Sequence, residues 1–172
     1  QMTFADTRKI DVLTLNDASL THVQDLENLV RLRELTMQRC NLTDFAPFTT
    51  LSSLMYLNLE ENEISDLSGI EMLTRLQVLS ISHNPVADIS MLPQLPHLFA
   101  LSAAGCPISD FTPLASIEKL SNLSLSECGL EKIDFLRDCG ELSVLWLDEN
   151  EISDLSALSQ LSNLTVLGLT SN

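Results

Sequence analysis

Histidine and cysteine are the residues that most readily act as catalytic bases, nucleophiles or metal ligands, and the chain has three histidines and four cysteines. His22, His83 and His97 fall at three different positions of the repeat described below, so they do not have the spacing of metal ligands. Neither a glycine-rich phosphate loop nor a GxSxG motif occurs. The sequence therefore favours a protein that is not an enzyme, and it predicts no catalytic residue, no metal site and no cofactor.

Aromatic and acidic side chains offer the chemistry of recognition instead. Tyr56 and Trp146 are the only tyrosine and tryptophan, and such side chains anchor interfaces because they bury a large area with few rotatable bonds. Acids follow each of them in two nearly identical strings, EENEISDL and DENEISDL. The strings predict acidic rims that steer a basic partner, with incidental aromatics on solvated faces as the alternative. The candidate partner-binding residues are Tyr56, Glu60, Glu61, His83, Trp146, Asp148 and Glu149.

The net charge narrows the class of partner. The chain has 24 acidic and 9 basic residues, which gives a formal charge of −15. Phosphate backbones and anionic membranes would be repelled, so we expect no nucleic acid partner. No apolar run approaches the roughly 20 residues that cross a bilayer, so we expect no membrane insertion. A protein with a basic patch is the natural complement, although acidity that only keeps a long surface soluble explains the charge equally well.

An internal repeat of 22 residues positions these candidates. The pattern LxxLxLxxNxIxxLxxIxxL, which begins at Leu54, recurs in one register from Ile10 to Asn172 without insertion or deletion. All seven of its apolar columns are filled in all seven full repeats when Ala103 and Cys139 are counted as apolar. Such regularity identifies a repeat architecture. The full repeats begin at Ile10, Leu32, Leu54, Leu76, Leu98, Leu120 and Leu142.

The period predicts the architecture. The segment LxxLxL alternates at its end as a strand does, with leucines inward and the intervening residues outward. The rest of each repeat is rich in Asn, Asp and Ser and is too short for a long helix, so we expect brief 3₁₀ or irregular turns. Identical spacing sets each strand beside its predecessor. We therefore predict an α/β solenoid, a curved right-handed array with a parallel β-sheet on its concave face.

One polar column lies within this apolar pattern. Asn62, Asn84, Asn150 and Asn172 occupy it, and an amide can satisfy buried backbone donors and acceptors at the same time. Cys40, Cys106 and Cys128 occupy the same column, where a small thiol is a weaker substitute. Cys106 and Cys128 are within disulfide reach. Their place in the column nevertheless favours four free, structural thiols.

The string LxxLxLxxN/CxL resembles the leucine-rich-repeat superfamily. The 22-residue period with IxDLSxL is similar to a short subclass that occurs in bacterial internalins and in a regulatory subunit of a Ser/Thr phosphatase. The resemblance covers residues 10–172 and implies a protein-binding solenoid, without identifying the partner. The compartment stays open: reduced cysteines favour the cytoplasm slightly, and a bacterial cell surface is the alternative.

We expect a single domain over 1–172 and a monomer. Residues 1–9 are predicted to be the remnant of a preceding repeat or a leader, 10–163 the seven full repeats, and 164–172 a truncated eighth repeat. The leading hypothesis is a protein-recognition module that binds a partner on its concave face. The alternative is a scaffolding array with an inert concave face, which the small Ser, Ala and Gly residues at the centre of that face keep open.

Overall fold

Eight parallel strands form one open sheet in the computed structural model, which describes residues 9–18 and 23–172. Each strand pairs with its neighbours in chain order, and the register follows the repeat: Leu35 lies opposite Leu57, and Leu57 opposite Leu79. The strands are β1 (Val12–Thr14), β2 (Glu34–Thr36), β3 (Tyr56–Asn58), β4 (Val78–Ser80), β5 (Ala100–Ser102), β6 (Asn122–Ser124), β7 (Val144–Trp146) and β8 (Val166–Gly168). The predicted parallel solenoid is confirmed, while His22 and most of segment 1–9 lie outside the described residues.

Short 3₁₀ helices form the outer side of each repeat, as the sequence predicts, and the described ranges contain no α-helix. Asp66 shows how the turn before such a helix is held, because its Oδ1 accepts the Ser68 hydroxyl at 2.6 Å and the Ser68 backbone N–H at 2.8 Å. These hydrogen bonds lower the pKa of the Asp66 carboxyl. The 3₁₀ helices are Val23–Asn28, Ala46–Phe48, Ile70–Met72, Leu92–Gln94, Thr112–Ser116, Asp134–Asp138 and Ser156–Gln160.

The leucine columns form one continuous core. The middle residue of every strand from β2 to β7 is a buried leucine, and burial of each such side chain contributes about 1.5–3 kcal/mol. Burial of these columns is incomplete in the last two repeats, where Leu155 of the seventh repeat is 45% exposed and Leu167 of the eighth is 40% exposed. No following turn packs against these two side chains. The repeat unit thus buries its apolar side only where another repeat lies beyond it.

The asparagine column forms the predicted hydrogen-bonded ladder. The Oδ1 of Asn62 accepts the backbone N–H groups of Cys40 at 2.9 Å and Leu42 at 3.1 Å. Its Nδ2 donates to the backbone carbonyls of Met37 at 2.7 Å and Leu59 at 2.8 Å. The asparagines of other repeats make equivalent bonds. One buried amide therefore ties the turn of its own repeat to the turn of the repeat before it.

Cysteine replaces only the donor half of this amide. The Sγ of Cys40 donates to the carbonyl of Leu15 at 2.9 Å, and that of Cys106 donates to the carbonyl of Ile81 at 3.3 Å. Cys128 makes the corresponding bond in its repeat. All four cysteines are free in the structure.

A column of left-handed residues follows the strands, and sequence analysis did not predict it. We call it the edge column: Asp17, Arg39, Glu61, His83, Gly105, Glu127, Glu149 and Ser171, all with φ between 52° and 66°. A residue other than glycine costs about 1 kcal/mol or more in this conformation. Each turn is held by backbone hydrogen bonding, such as that from the N–H of Glu61 to the carbonyl of Ser82 at 2.9 Å. The edge column thus lies directly beside the sheet, at the carboxyl ends of its strands.

Candidate protein-binding surface

Two columns of side chains cover the solvent side of the sheet, because strand residues alternate between core and solvent. We call this side the strand face. The leading column holds the first residue of each strand: Val12, Glu34, Tyr56, Val78, Ala100, Asn122, Val144 and Val166. The trailing column holds the last residue of each strand: Thr14, Thr36, Asn58, Ser80, Ser102, Ser124, Trp146 and Gly168.

Trp146 and Tyr56 share the strand face but lie in different columns. Trp146 ends β7 in the trailing column and is 43% exposed. Tyr56 begins β3 in the leading column and is half-buried. Four strand spacings of about 4.8 Å separate the two strands, which is about 19 Å. The two aromatic residues therefore border the middle of the face from opposite sides instead of forming one cluster.

A shallow depression of about 330 Å³ lies between β4 and β7. Val78, Ala100 and Val144 supply its apolar walls from the leading column, and Trp146 closes one side of it. Besides Trp146, the trailing column contributes the small side chains of Ser80, Ser102 and Ser124, and Asn122 is a polar member of the lining. The volume is at the lower end of the range found for binding pockets. Its apolar walls and lack of bulky groups suit side chains of a partner better than a reaction.

Gly168 determines how the Trp146 indole lies. Trp146 pairs with Gly168 in the sheet, and the ring occupies the space above that glycine. A Cβ atom at residue 168 would collide with the ring and would come within 2.5 Å of an Asp148 carboxylate oxygen. The exposed indole therefore rests on bare backbone, which fixes its orientation without covering its outer surface.

The acidic residues next to Tyr56 form hydrogen bonds and a salt bridge with other side chains of the chain. The carboxylate of Glu60 accepts hydrogen bonds from Gln38 Nε2 at 2.6 Å and from Ser80 Oγ at 2.5 Å. Glu61 forms a salt bridge of 2.9 Å with Arg39.

Arg39 also bridges to Asp17 at 2.6 Å, so three successive members of the edge column form one ion-pair chain. The hydrogen bond from Arg39 is the main reason why the pKa of the Asp17 carboxyl is lowered. These partners lie 22 residues apart in sequence, and the positive charge offsets part of the negative charge of this rim.

The acidic rim next to Trp146 is open. Glu127 and Glu149 are adjacent members of the edge column, both are exposed, and neither forms an ion pair with a described residue. Asp148 is half-buried and accepts the backbone N–H of Thr170 at 2.7 Å. The two acidic strings, which look alike in sequence, therefore differ in the charge they present to solvent.

His83 completes the set of predicted site residues. It is exposed in the edge column, and its ring lies over Gly105 in the next repeat, where an added Cβ would come within 2.6 Å of His83 Nδ1. The histidine is therefore adjacent to the strand face, two repeats away from the open rim. Of the predicted site residues, the structure brings together Trp146, Asp148 and Glu149, while Tyr56, Glu60 and Glu61 form a separate group.

The described thiols and acids form no recognisable reaction centre. Burial raises the pKa of the Cys128 and Cys139 thiols to about 11 and also raises that of Cys106, so these sulfurs are neutral thiols at neutral pH. Within residues 9–18 and 23–172, no group of three or more His, Cys, Asp or Glu side chains is arranged to hold a metal ion. No helix in the described part of the chain is long and apolar enough to span a membrane.

Sequence reasoning missed the depression and the open acid at Glu127. Val78, Ala100 and Val144 stand on outward positions of the repeat, where apolar residues contribute nothing to the core. Apolar residues at outward positions were therefore the feature of the sequence that could have predicted the depression. Arg39 stands 22 residues before Glu61, which is one repeat. The salt bridge between these two residues could therefore have been predicted from the repeat period.

Comparisons with known proteins agree with the repeat and the fold. A family model for two copies of a leucine-rich repeat matches residues 52–94. An internalin (InlF) from Listeria monocytogenes superposes with a TM-score of 0.87 at 28% identity, over 96% of this chain and 49% of that chain. Internalin C2 from the same organism gives a TM-score of 0.68 at 26% identity, over 98% of this chain and 84% of that chain. This chain thus spans about half the length of InlF.

A plant protein shares the fold as well. The leucine-rich-repeat ectodomain of the membrane receptor kinase GASSHO1/SCHENGEN3 from Arabidopsis thaliana, solved in complex with Casparian Strip Integrity Factor 2, gives a TM-score of 0.70 at 24% identity, over 91% of this chain and 20% of that chain. A search of curated protein sequences found no significant match.

The repeat, the sheet and these matches support a resemblance to the leucine-rich-repeat superfamily and, within it, to internalins. Proteins of this fold are typically protein-interaction modules and are generally not enzymes.

Proposed function

We propose that this chain is a non-catalytic protein-recognition module that binds its partner, as a monomer, across the strand face. The observation that carries the proposal is the exposed Trp146 at the side of an apolar depression. An indole that keeps 43% of its surface in water, on a face that already contains Val78, Ala100 and Val144, offers apolar area that only a partner would cover.

Charge supports a partner with a basic patch. The chain has a formal charge of −15, and Glu127 and Glu149 are exposed beside the depression and form no ion pair with a described residue. Acids at the margin of an interface mainly accelerate association with a basic protein, whereas a desolvated aromatic slows dissociation. The two groups of residues therefore have separable kinetic roles.

A scaffolding array with an inert strand face is the second candidate. The trailing column favours it, because Ser80, Ser102 and Ser124 give the centre of the face few groups that could hold a partner. In that case the array would present other domains, and substitutions on the strand face would change no interaction.

Photo-crosslinking followed by kinetics separates the two candidates. A photoreactive residue at position 102 should capture a protein that the same residue at exposed Ser68, on the outer side, does not capture. With the captured protein, Trp146→Ala should lower affinity about 30-fold, mostly through faster dissociation. Glu127→Gln with Glu149→Gln should instead slow association and flatten its dependence on salt.

Met72→Ala is the matched control, because Met72 is 58% exposed but lies in the 3₁₀ helix Ile70–Met72 on the outer side. It should leave affinity unchanged. Equal affinities for the parent and Trp146→Ala would move the binding site off the strand face and would favour the scaffold.

A further inference from the structure

The strand face is polarised along the direction of its strands. The leading column contributes the apolar side chains of Val78, Ala100 and Val144 to the depression, with Asn122 as its one polar member there, and Trp146 is the large apolar side chain of the trailing column. The open acids of the strand face lie beyond the other end of the strands, in the edge column at Glu127 and Glu149. The edge residue lies five positions after the leading residue of the same repeat, which corresponds to at most about 17 Å at roughly 3.3 Å per residue.

No basic side chain of the described residues neutralises the two carboxylates, Glu127 and Glu149, at the acidic end of the strand face. Glu61 has Arg39 as its neighbour in the edge column, but the residues on either side of Glu127 and Glu149 in that column are Gly105 and Ser171. Two adjacent strands place the open carboxylates about one strand spacing apart, roughly 4.8 Å between backbones. A cationic group approaching here would meet two carboxylates and no cation at the neighbouring positions of the edge column, which are Gly105 and Ser171.

We infer that the strand face binds a protein segment that presents a row of apolar side chains with Lys or Arg along one flank only. The apolar row lies in the depression beside Trp146, and the basic flank lies over Glu127 and Glu149. The inference rests on the proposed function and adds to it the chemistry and the orientation of the partner.

The position of Trp146 in the trailing column supports the inferred orientation of the partner. Trp146 lies between the apolar leading column and the acidic edge column, and its ring is held in place over Gly168. The edge of the ring can contact apolar groups in the depression, while its face attracts a Lys or Arg side chain bound by the acids. A partner with basic residues alone would leave the depression empty, and a purely apolar partner would leave two carboxylates partly desolvated without a counterion.

Selection from a displayed library of random peptides tests the inference with the 172-residue chain as the immobilised target. Enriched peptides should combine apolar residues with Lys or Arg at a fixed offset. Their binding should fall about tenfold or more when Glu127→Gln and Glu149→Gln are introduced together. The matched control is Glu118→Gln with Glu141→Gln, which removes the same charge from exposed positions before β6 and β7, at the opposite end of the strands. It should change binding less than twofold, by the small effect expected of distant screened charges.

Ser102→Arg separates failure of the inference from failure of the proposed function, because it fills the centre of the depression, and Ser102→Ala serves as its control. Loss of peptide binding with Ser102→Arg but not with the Glu127 and Glu149 substitutions would keep the strand-face site and overturn the polarity. Unchanged binding with Ser102→Arg would overturn both. Enrichment of no peptide, or of apolar peptides without Lys or Arg, would also overturn the inference.

Discussion

The asparagine ladder makes a quantitative prediction for Asn62→Ala. The side chain is 7% exposed and bonds to five backbone groups of two adjacent repeats, at distances between 2.7 and 3.1 Å. Three of these groups are carbonyls that share the two Nδ2 hydrogens, so alanine removes bonding through four hydrogens in all. At about 1 kcal/mol for each net hydrogen bond, the free energy of unfolding should fall by about 4 kcal/mol.

Urea unfolding followed by far-UV circular dichroism measures this loss. With a slope of about 2 kcal/mol per molar urea, the midpoint should fall by about 2 M. Asn163→Ala is the control, because Asn163 is exposed and its Nδ2 donates a hydrogen bond to the carbonyl of Gly140 at 3.0 Å. Its midpoint should fall by about 0.5 M or less. Equal midpoints for the two variants would refute the role assigned to the ladder.

Two further substitutions at the same position separate the donor and acceptor roles of the amide. Asn62→Cys should cost less than Asn62→Ala, because the cysteine of this column still donates to a carbonyl, as Cys40 does to Leu15 at 2.9 Å. Asn62→Asp retains the acceptor but turns an anion towards the carbonyls of Met37 and Leu59.

That environment should raise the pKa of the new carboxyl in the folded state above its unfolded value. The variant should then approach the parent in stability as the pH falls, since protonation restores a donor. A stability difference between Asn62→Asp and the parent that does not change with pH would contradict this reasoning.

Three other predictions concern the site, the turns and the thiols. Gly168→Ala should displace the Trp146 ring and shift its fluorescence to longer wavelength, whereas Gly140→Ala, where nothing lies within 4 Å of the added Cβ, should not; identical spectra would contradict the packing described. Asp66→Asn should flatten the acid limb of the stability curve, because a carboxyl with a lowered folded pKa stabilises the fold above its unfolded value, near 3.8, and loses that contribution as the pH falls through the folded pKa; parallel acid limbs would argue against the turn. A thiol reagent should count four groups in the unfolded protein without reductant, and a count of two would mean that two ladder cysteines are joined.

The sequence was sufficient to predict the core and the direction of the strands, because both follow from the period. A register of 22 residues identifies the neighbour of every residue in the next repeat, and alternation decides which side chains point inward. The ladder asparagines were predictable for the same reason, since a polar residue repeated inside an apolar pattern has to bond to the backbone.

The backbone conformation of the edge column was not predictable from residue type. Its members include Arg39, Glu61 and Glu127, which do not favour a left-handed conformation, so the turn is imposed by the sheet and by hydrogen bonding between repeats. The difference between the two acidic rims depends on a contact with the preceding repeat. Comparing the strings EENEISDL and DENEISDL residue by residue makes them look equivalent, although Arg39 stands one repeat before only the first of them.

The candidate site lies where the outward columns depart from their own regularity. A solenoid of identical repeats would present identical rows on its surface, and a uniform surface cannot fix the register of a partner along it. In the trailing column, three serines precede Trp146 and a glycine follows it, so one large side chain stands beside a gap that receives its ring. In the edge column, the charges are paired at Arg39 and Glu61 but open at Glu127 and Glu149. Both departures occur within β6 to β8 and their turns, and this coincidence is the reason why we propose that end of the strand face as the place where a partner is recognised.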